Sequence, residues 1–494
     1  MTLRIKMRLF LITLFIFAPL HAKENEKMQT PIKQKIKCNM TIKYKQIPEE
    51  VETFQEFLKS GMFYGRIRMN SFIFDNDNEG EDHLALGIGG SLIYKSATYK
   101  NLSFTSGFYL SQNMFHENKK MIPFYRAGKD TFSRYNLATK GSHTLSSFAQ
   151  NYVLYKKNNY KIKVGHFFME STLLKSNDTK MIPNSFEGIH LSSWAFPKTK
   201  IQTAYITKQK LRDHEFFHHV LAYDSSQEDS YSQWRENDDG AMHRGLTLSK
   251  LKIKGIQDRI ILFEAKNKSI KRTTLNVGLT SVPNLISTLH LEGKYTFKIN
   301  RKFKIKPSLR YLHQFDHGAG EIAGSNLRNN TIGYKTPNSL ASALIATRID
   351  FIKGAGSLRL GYSKISDKGD LLTPWRSFPT AGYTRAMGQN NWYANTETFM
   401  LRADYDFSKA KLIDGFRVMS RYSKQNFDDN KPGVSSDSNV LTVDFVKRYS
   451  NHPNFLTKIR TAFIKEDHKI QNQDGSYKKN PSYNEIRLEM NYLF

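Results

Sequence analysis

The chain has 494 residues, 74 Lys and Arg against 45 Asp and Glu, and a formal net charge of +29. Its one cysteine, Cys38, excludes an internal disulfide, so the fold must be held by other means. A mean hydropathy of −0.55 does not separate a soluble chain from a strand-built membrane protein, because alternating strands average out hydrophilic.

At the N-terminus, Arg4, Lys6 and Arg8 precede a short apolar run over residues 9–20, and Leu20-His21-Ala22 places a small residue at a cleavage edge. This is the pattern of an export signal over residues 1–22; a spanning helix needs about 20 apolar residues. The alternative is a buried N-terminal helix. Residues 23–60 follow as a periplasmic leader. Its part 23–48 is Lys-rich and without period, and Cys38 follows Gln34-Lys35-Ile36-Lys37, which is no lipoprotein signal. The stretch 49–59 sets Val51, Phe54, Phe57 and Leu58 at helical spacing, and Gly61 ends it. No later segment predicts a membrane helix. The most apolar one, 340–352, carries Arg348 and Asp350, each costing about 2.5–3.5 kcal/mol at a helix centre.

From residue 61 the period is two. In residues 304–315, Ile305, Pro307, Leu309, Tyr311, His313 and Phe315 share one face, opposite Lys306, Ser308, Arg310 and Gln314. The pattern recurs at 357–364, 399–407, 416–423, 441–449 and 455–463. A soluble sheet also alternates, since one face meets water. Two features point to a membrane instead. The apolar faces are rich in Tyr and Phe, as interfacial girdles require. The last strand runs to the end, with Ile486, Leu488, Met490, Tyr492 and Phe494 on one face. A terminal strand ending in Phe resembles the signal by which barrel-assembly machinery recognises outer-membrane barrels. Residues 61–494, at roughly 24 per strand and connection, predict about 18 strands. The expected fold is an all-β, transmembrane, antiparallel β-barrel with a short N-terminal helix; the alternative is a large soluble β-protein with an aromatic core. Short turns are expected to be periplasmic. The irregular stretches 114–146, 171–187, 211–242, 317–334 and 367–398 are expected outside or folded inward.

The polar faces carry Arg66 and Arg68 on the first strand, then Lys306, Arg310, Arg359, Arg402, Arg417, Arg421, Lys458, Arg460 and Arg487. A low-dielectric wall focuses such charge and raises the local anion concentration. Arginine follows a carboxylate through bidentate contacts without losing its proton. Asp404, Asp406 and Asp444 temper the field. The alternative is that these charges pair with one another, or meet lipopolysaccharide phosphates.

Other motifs carry less. His214-Glu215-Phe216-Phe217-His218 matches the zinc-protease pattern, which needs a helix to bring both histidines to one face. Here it falls in an expected loop with no third ligand. His143 and His166 show no hydrolase spacing. Gly87-Ile88-Gly89-Gly90 sits in an alternating strand and reads as a strand-packing or bulge feature, not a phosphate loop. Basic charge without a clustered module, behind an export signal, argues against nucleic acid.

The stretch Asn177-Asp178-Thr179-Lys180-Met181-Ile182-Pro183-Asn184-Ser185-Phe186-Glu187-Gly188 resembles the inward loop of OprD-type porins, the substrate-specific outer-membrane channels. Residues 401–407 and 415–422 resemble that family's late hairpin. Residues 358–370 and 52–77 also fit, so the resemblance covers the chain from about residue 50. The Lys-rich leader and the few strand glycines depart from the familiar members. The resemblance implies a barrel of about 18 strands in the bacterial outer membrane, acting as a diffusion channel for small hydrophilic solutes, carboxylates or amino acids among them. It implies a constriction loop with Asp178, Lys180, Pro183 and Phe186, joined by residues 370–395. The expected substrate pathway is Arg66, Arg68, Arg310, Arg359, Arg402, Arg421 and Arg460. No catalytic residue, cofactor or metal is expected. Expected partners are the solutes, outer-membrane lipid and lipopolysaccharide, and the barrel is a monomer or trimer. The opposing reading is a surface barrel with a closed lumen, an adhesin or a hydrolase working through its long loops.

Overall fold

The computed structural model describes residues 34–494 apart from 38–39, 78–81, 118–129, 223–231, 374–376 and 388–389. The expected export signal and Cys38 lie outside the described residues. The chain divides into Met1–Lys33 and Gln34–Phe494, and only the second unit is described below.

Eighteen long strands follow one another: β1 Met62–Asn76, β2 His83–Lys95, β3 Leu102–Glu117, β4 Thr144–Lys157, β5 Tyr160–Phe167, β6 Ser185–Ser193, β7 Thr199–Lys210, β8 Ile260–Asn267 and β9 Thr273–Val282. Then come β10 Ile286–Tyr295, β11 Phe303–Asp316, β12 Ser342–Lys353, β13 Gly356–Ile365, β14 Glu397–Asp406, β15 Phe416–Asn426, β16 Ser438–Arg448, β17 Phe455–Glu466 and β18 Tyr483–Leu493. Each pairs antiparallel with the next, and β18 closes on β1 in the register Asn491↔Arg68 and Arg487↔Phe72. Closure leaves no strand edge, so every ladder group finds a partner without water. The expected barrel and strand number are those observed.

Burial is inverted relative to a water-soluble protein. On β1, Phe63 and Ile67 are 65% and 55% exposed, while Arg66 and Arg68 are 1% exposed. The outward face is therefore the apolar one, as a lipid environment demands. Cross-strand aromatic pairs reinforce it: Tyr362 and Phe399 stand opposite each other with ring centroids 4.9 Å apart. Inside, the loops fold back and build a core of their own. Leu173, Leu174, Leu221, Leu246, Leu371 and Leu372 pack with inward strand residues such as Ile206, Leu262 and Leu344.

Two N-terminal expectations need correction. The helix is α1, Phe54–Lys59, shorter than 49–59, because Thr53 caps it by accepting the Glu56 N–H at 3.3 Å. Val51 instead pairs in parallel with Tyr99. Part of the leader that reads as aperiodic is folded: Gln34–Ile36 and Ile42–Tyr44 form an antiparallel hairpin. Ile36 and Met40 bury against Leu456 and Leu493, a gain that no local period reveals.

Candidate lumen constriction

Two loops turn into the lumen, and arginines on the strands hold both. The first spans residues 168–184 between β5 and β6. Asp178 lies 2.8 Å from Arg66 through both carboxylate oxygens, and 2.9 Å from Arg68 Nη1. Arg68 also donates to the Asp178 carbonyl at 2.9 Å, to the Met181 carbonyl at 3.3 Å and to the Lys180 carbonyl. Two guanidinium groups on one carboxylate form a buried, charge-assisted clamp. Beyond it, Met181 and Ile182 pack on Ile93, Tyr109, Leu145 and Ala149 of β2, β3 and β4. Pro183 is buried, and Phe186, second in β6, lies inside the main core. Gly188 ends the motif at φ 147, where a Cβ would run into the Tyr205 carbonyl.

The second inward loop spans residues 366–396. Arg310 donates to the Pro379 and Ala381 carbonyls at 2.6 and 3.1 Å, and Arg359 donates to the Gly382 carbonyl at 2.8 Å. Asp370 anchors the loop base by accepting Tyr334 Oη at 2.7 Å and the Ala394 and Leu327 N–H groups at 2.8 and 3.0 Å.

Between the loops and the β15–β18 wall lies a cavity of about 370 Å³. Arg421, Arg460 and Arg487 line it from the strands and Arg385 from the second loop; Lys180, Arg212, Asp130, Asp238 and Asp239 face them. The acids there are compensated. Arg212 holds Asp239 at 2.6 Å and Asp130 at 3.5 Å, and Lys180 stands 3.3 Å from Asp130. Burial pulls Lys180 down to about 8. Burial, with Asp130, Asp239 and Asp238 close by, pushes the Asp213 carboxyl up. Oxygens of Asp130, Asp213 and Asp239 lie within 4.8 Å of one another, but Arg212 and Lys180 already supply the countercharge. A second cavity, about 240 Å³, is lined by Trp234, Phe378, Trp392 and Tyr393 with Arg134, Arg244 and Arg328. Both cavities include Asp238, Phe378 and Asn390, so they adjoin.

The sequence-derived arginines thus fall into two groups. Arg66 and Arg68 lie behind the first loop, and Arg310 and Arg359 brace the second. Arg421 and Arg460 line the cavity from the wall, and Arg402 stands opposite Arg421 on β14. Pairing is extensive: Arg310 with Glu292, Arg359 with Asp350, Arg402 and Arg417 with Asp404, Arg460 with Asp444, Arg487 with Glu485. Arg421 has no carboxylate partner among the described residues; its Nη2 donates to Met419 Sδ at 3.1 Å. Lys458 stands 4.0 Å from Glu489. Arg385, Arg212 and the four cavity aromatics escape sequence reading because they lie in aperiodic loops.

The histidine motif forms no helix. His214 Nε2 donates to the Asp239 carbonyl at 2.6 Å, and Glu215 accepts Asn136 Nδ2 at 2.7 Å and the Ser146 N–H at 3.1 Å.

A barrel that is apolar outside and charged inside, narrowed by loops pinned to its wall, defines a porin of the bacterial outer membrane. The profile of the outer membrane porin, OprD family, matches residues 126–494, and the chain belongs to that family. Among solved structures, Pseudomonas aeruginosa OpdQ and OccK9 (OpdG) are each 16% identical, with TM-scores of 0.65 and 0.67, covering 89% of this chain and 99% of theirs. Acinetobacter baumannii OccAB3 is 13% identical with a TM-score of 0.66, covering 88% of this chain and 100% of its own. No curated protein sequence matches the chain.

Proposed function

We propose that this porin is a diffusion channel favouring small anionic solutes, carboxylates above all, with Arg402, Arg421 and Arg460 as guiding residues. The observation that carries the reading is Arg421. It is half-buried in a cavity wall beside Arg460 and Arg487, and the nearby acids Asp444 and Asp404 are engaged by Arg460 and by Arg402 with Arg417. A guanidinium so placed attracts an anion strongly, because the barrel wall screens it poorly. The adjoining aromatic cavity suits a carboxylate attached to a ring, since stacking and cation–π contacts reward a flat face. A relative of similar fold, Pseudomonas aeruginosa OpdK, was crystallised with vanillate, an aromatic carboxylate. The export signal read over residues 1–22 fits an outer-membrane destination.

Single-channel recording of the refolded barrel under a salt gradient tests this. The expected result is discrete steps with a reversal potential on the anion side, and a chloride current reduced more by an aromatic carboxylate than by acetate. A cation-side reversal overturns the selectivity. A folded barrel without steps restores the surface-protein reading.

A further inference from the structure

On β16, β17 and β18 the inward face is polar, with Asp444, Arg460 and Arg487 in register and Lys458 opposite Glu489, until the short-turn end. There it becomes apolar: Leu456 and Leu493 are 3% exposed, and Val446 packs beside them. The N-terminal hairpin covers this patch. Ile36 and Met40 lie on it at 2% and 3% exposure, and Arg448 donates to the Ile36 carbonyl at 3.3 Å. The chain after the hairpin is fixed on the far side of the seam. The Tyr44 ring lies 4.5 Å from that of Tyr64 on β1, Lys95 of β2 stands 4.5 Å from the Tyr44 centroid, and Tyr64 Oη donates to the Gln46 carbonyl at 2.6 Å. The segment therefore crosses inward faces from β16 to β2.

Arg66 joins this segment to the constriction. Its Nη1 donates to the Met40 carbonyl at 2.9 Å, while Nη2 holds Asp178 of the first inward loop at 2.8 Å. One guanidinium serves both.

We infer that the hairpin of Gln34–Ile36 and Ile42–Tyr44, with Met40, is a strap across the short-turn end of the lumen that sets the size limit of the solutes and stiffens the first inward loop through Arg66. The inference rests on the channel reading but concerns size, not charge. Pore radius limits neutral and charged solutes alike, so neutral probes isolate it.

The test compares the full chain with Ile36→Gln plus Met40→Gln, which keeps the net charge, and with the milder Ile36→Ala plus Met40→Ala. Folding is checked by heat-modifiable gel mobility, size by swelling of liposomes in neutral sugars of graded size. The strap predicts that the variants admit larger sugars and conduct about twofold more, with an unchanged reversal potential. An identical sugar cut-off in folded variants and parent overturns the strap while leaving the channel intact. A silent parent beside conducting variants makes the strap a plug. Silence in all three removes both strap and channel.

Discussion

Arg66 and Arg421 are the same residue type at the same kind of position, an inward-facing site on a barrel strand. On the β1 side the first inward loop lies over the arginines, and Asp178 pairs with both. On the β15 side no loop carboxylate among the described residues reaches Arg421, and it borders a cavity. The side chain's direction comes from the strand; its use comes from what covers it. Arg310 and Arg359 repeat the β1 case, spending their donors on the carbonyls of the second loop.

The largest effect separating the two sides is expected from Asp178→Ala. It strands two buried guanidinium groups, and losing one partner of a buried ion pair costs about 3–5 kcal/mol. The urea midpoint of the folded barrel should fall accordingly, with noisier current as the loop loosens; an unchanged midpoint removes the clamp. Next comes Arg421→Ala. Loss of roughly 1 kcal/mol of attraction lowers the chloride-over-potassium permeability ratio about fivefold. Removing Asp444 and Arg460 together, a neutral pair, should shift the ratio less; the reverse order means that Arg421 is not the selector. The smallest effect is titration of Lys180, which lines the cavity and is pulled down to about 8 by burial. It is charged below that pH and neutral above it. Anion preference should therefore decline between pH 7 and 9, the window about that value, and Lys180→Arg should abolish the decline. A decline that survives in Lys180→Arg belongs to another group.

The barrel is legible in the sequence because alternation is local. Residues 304–315 and 441–449 show it, and β11 and β16 carry it. The ion pairs are legible only once register is known: Asp444 stands opposite Arg460, Asp350 opposite Arg359 and Glu292 opposite Arg310. The Asp178 clamp needs the loop's path as well, since its partners lie 112 and 110 residues away. The hairpin of Gln34–Ile36 and Ile42–Tyr44 leaves no trace in the pattern. Ile36, Met40 and Ile42 are scattered among lysines, and Ile36 meets Arg448 across 412 residues. Arg66 and Arg68 look like pathway residues in one dimension because a strand's polar face does not announce what folds over it.

The seam between β1 and β18 has a further consequence. Gly65 and Phe494 exchange backbone hydrogen bonds at 3.0 and 3.2 Å, and Arg68 donates to Asn491 across 423 residues. Every other long-strand pairing joins neighbours in the sequence, so closing the seam confines the longest stretch of chain of any step. Contacts of such separation form slowly. Assembly should therefore run hairpin by hairpin, with the seam last. Until it shuts, β1 and β18 are two sticky margins, each able to accept a foreign strand.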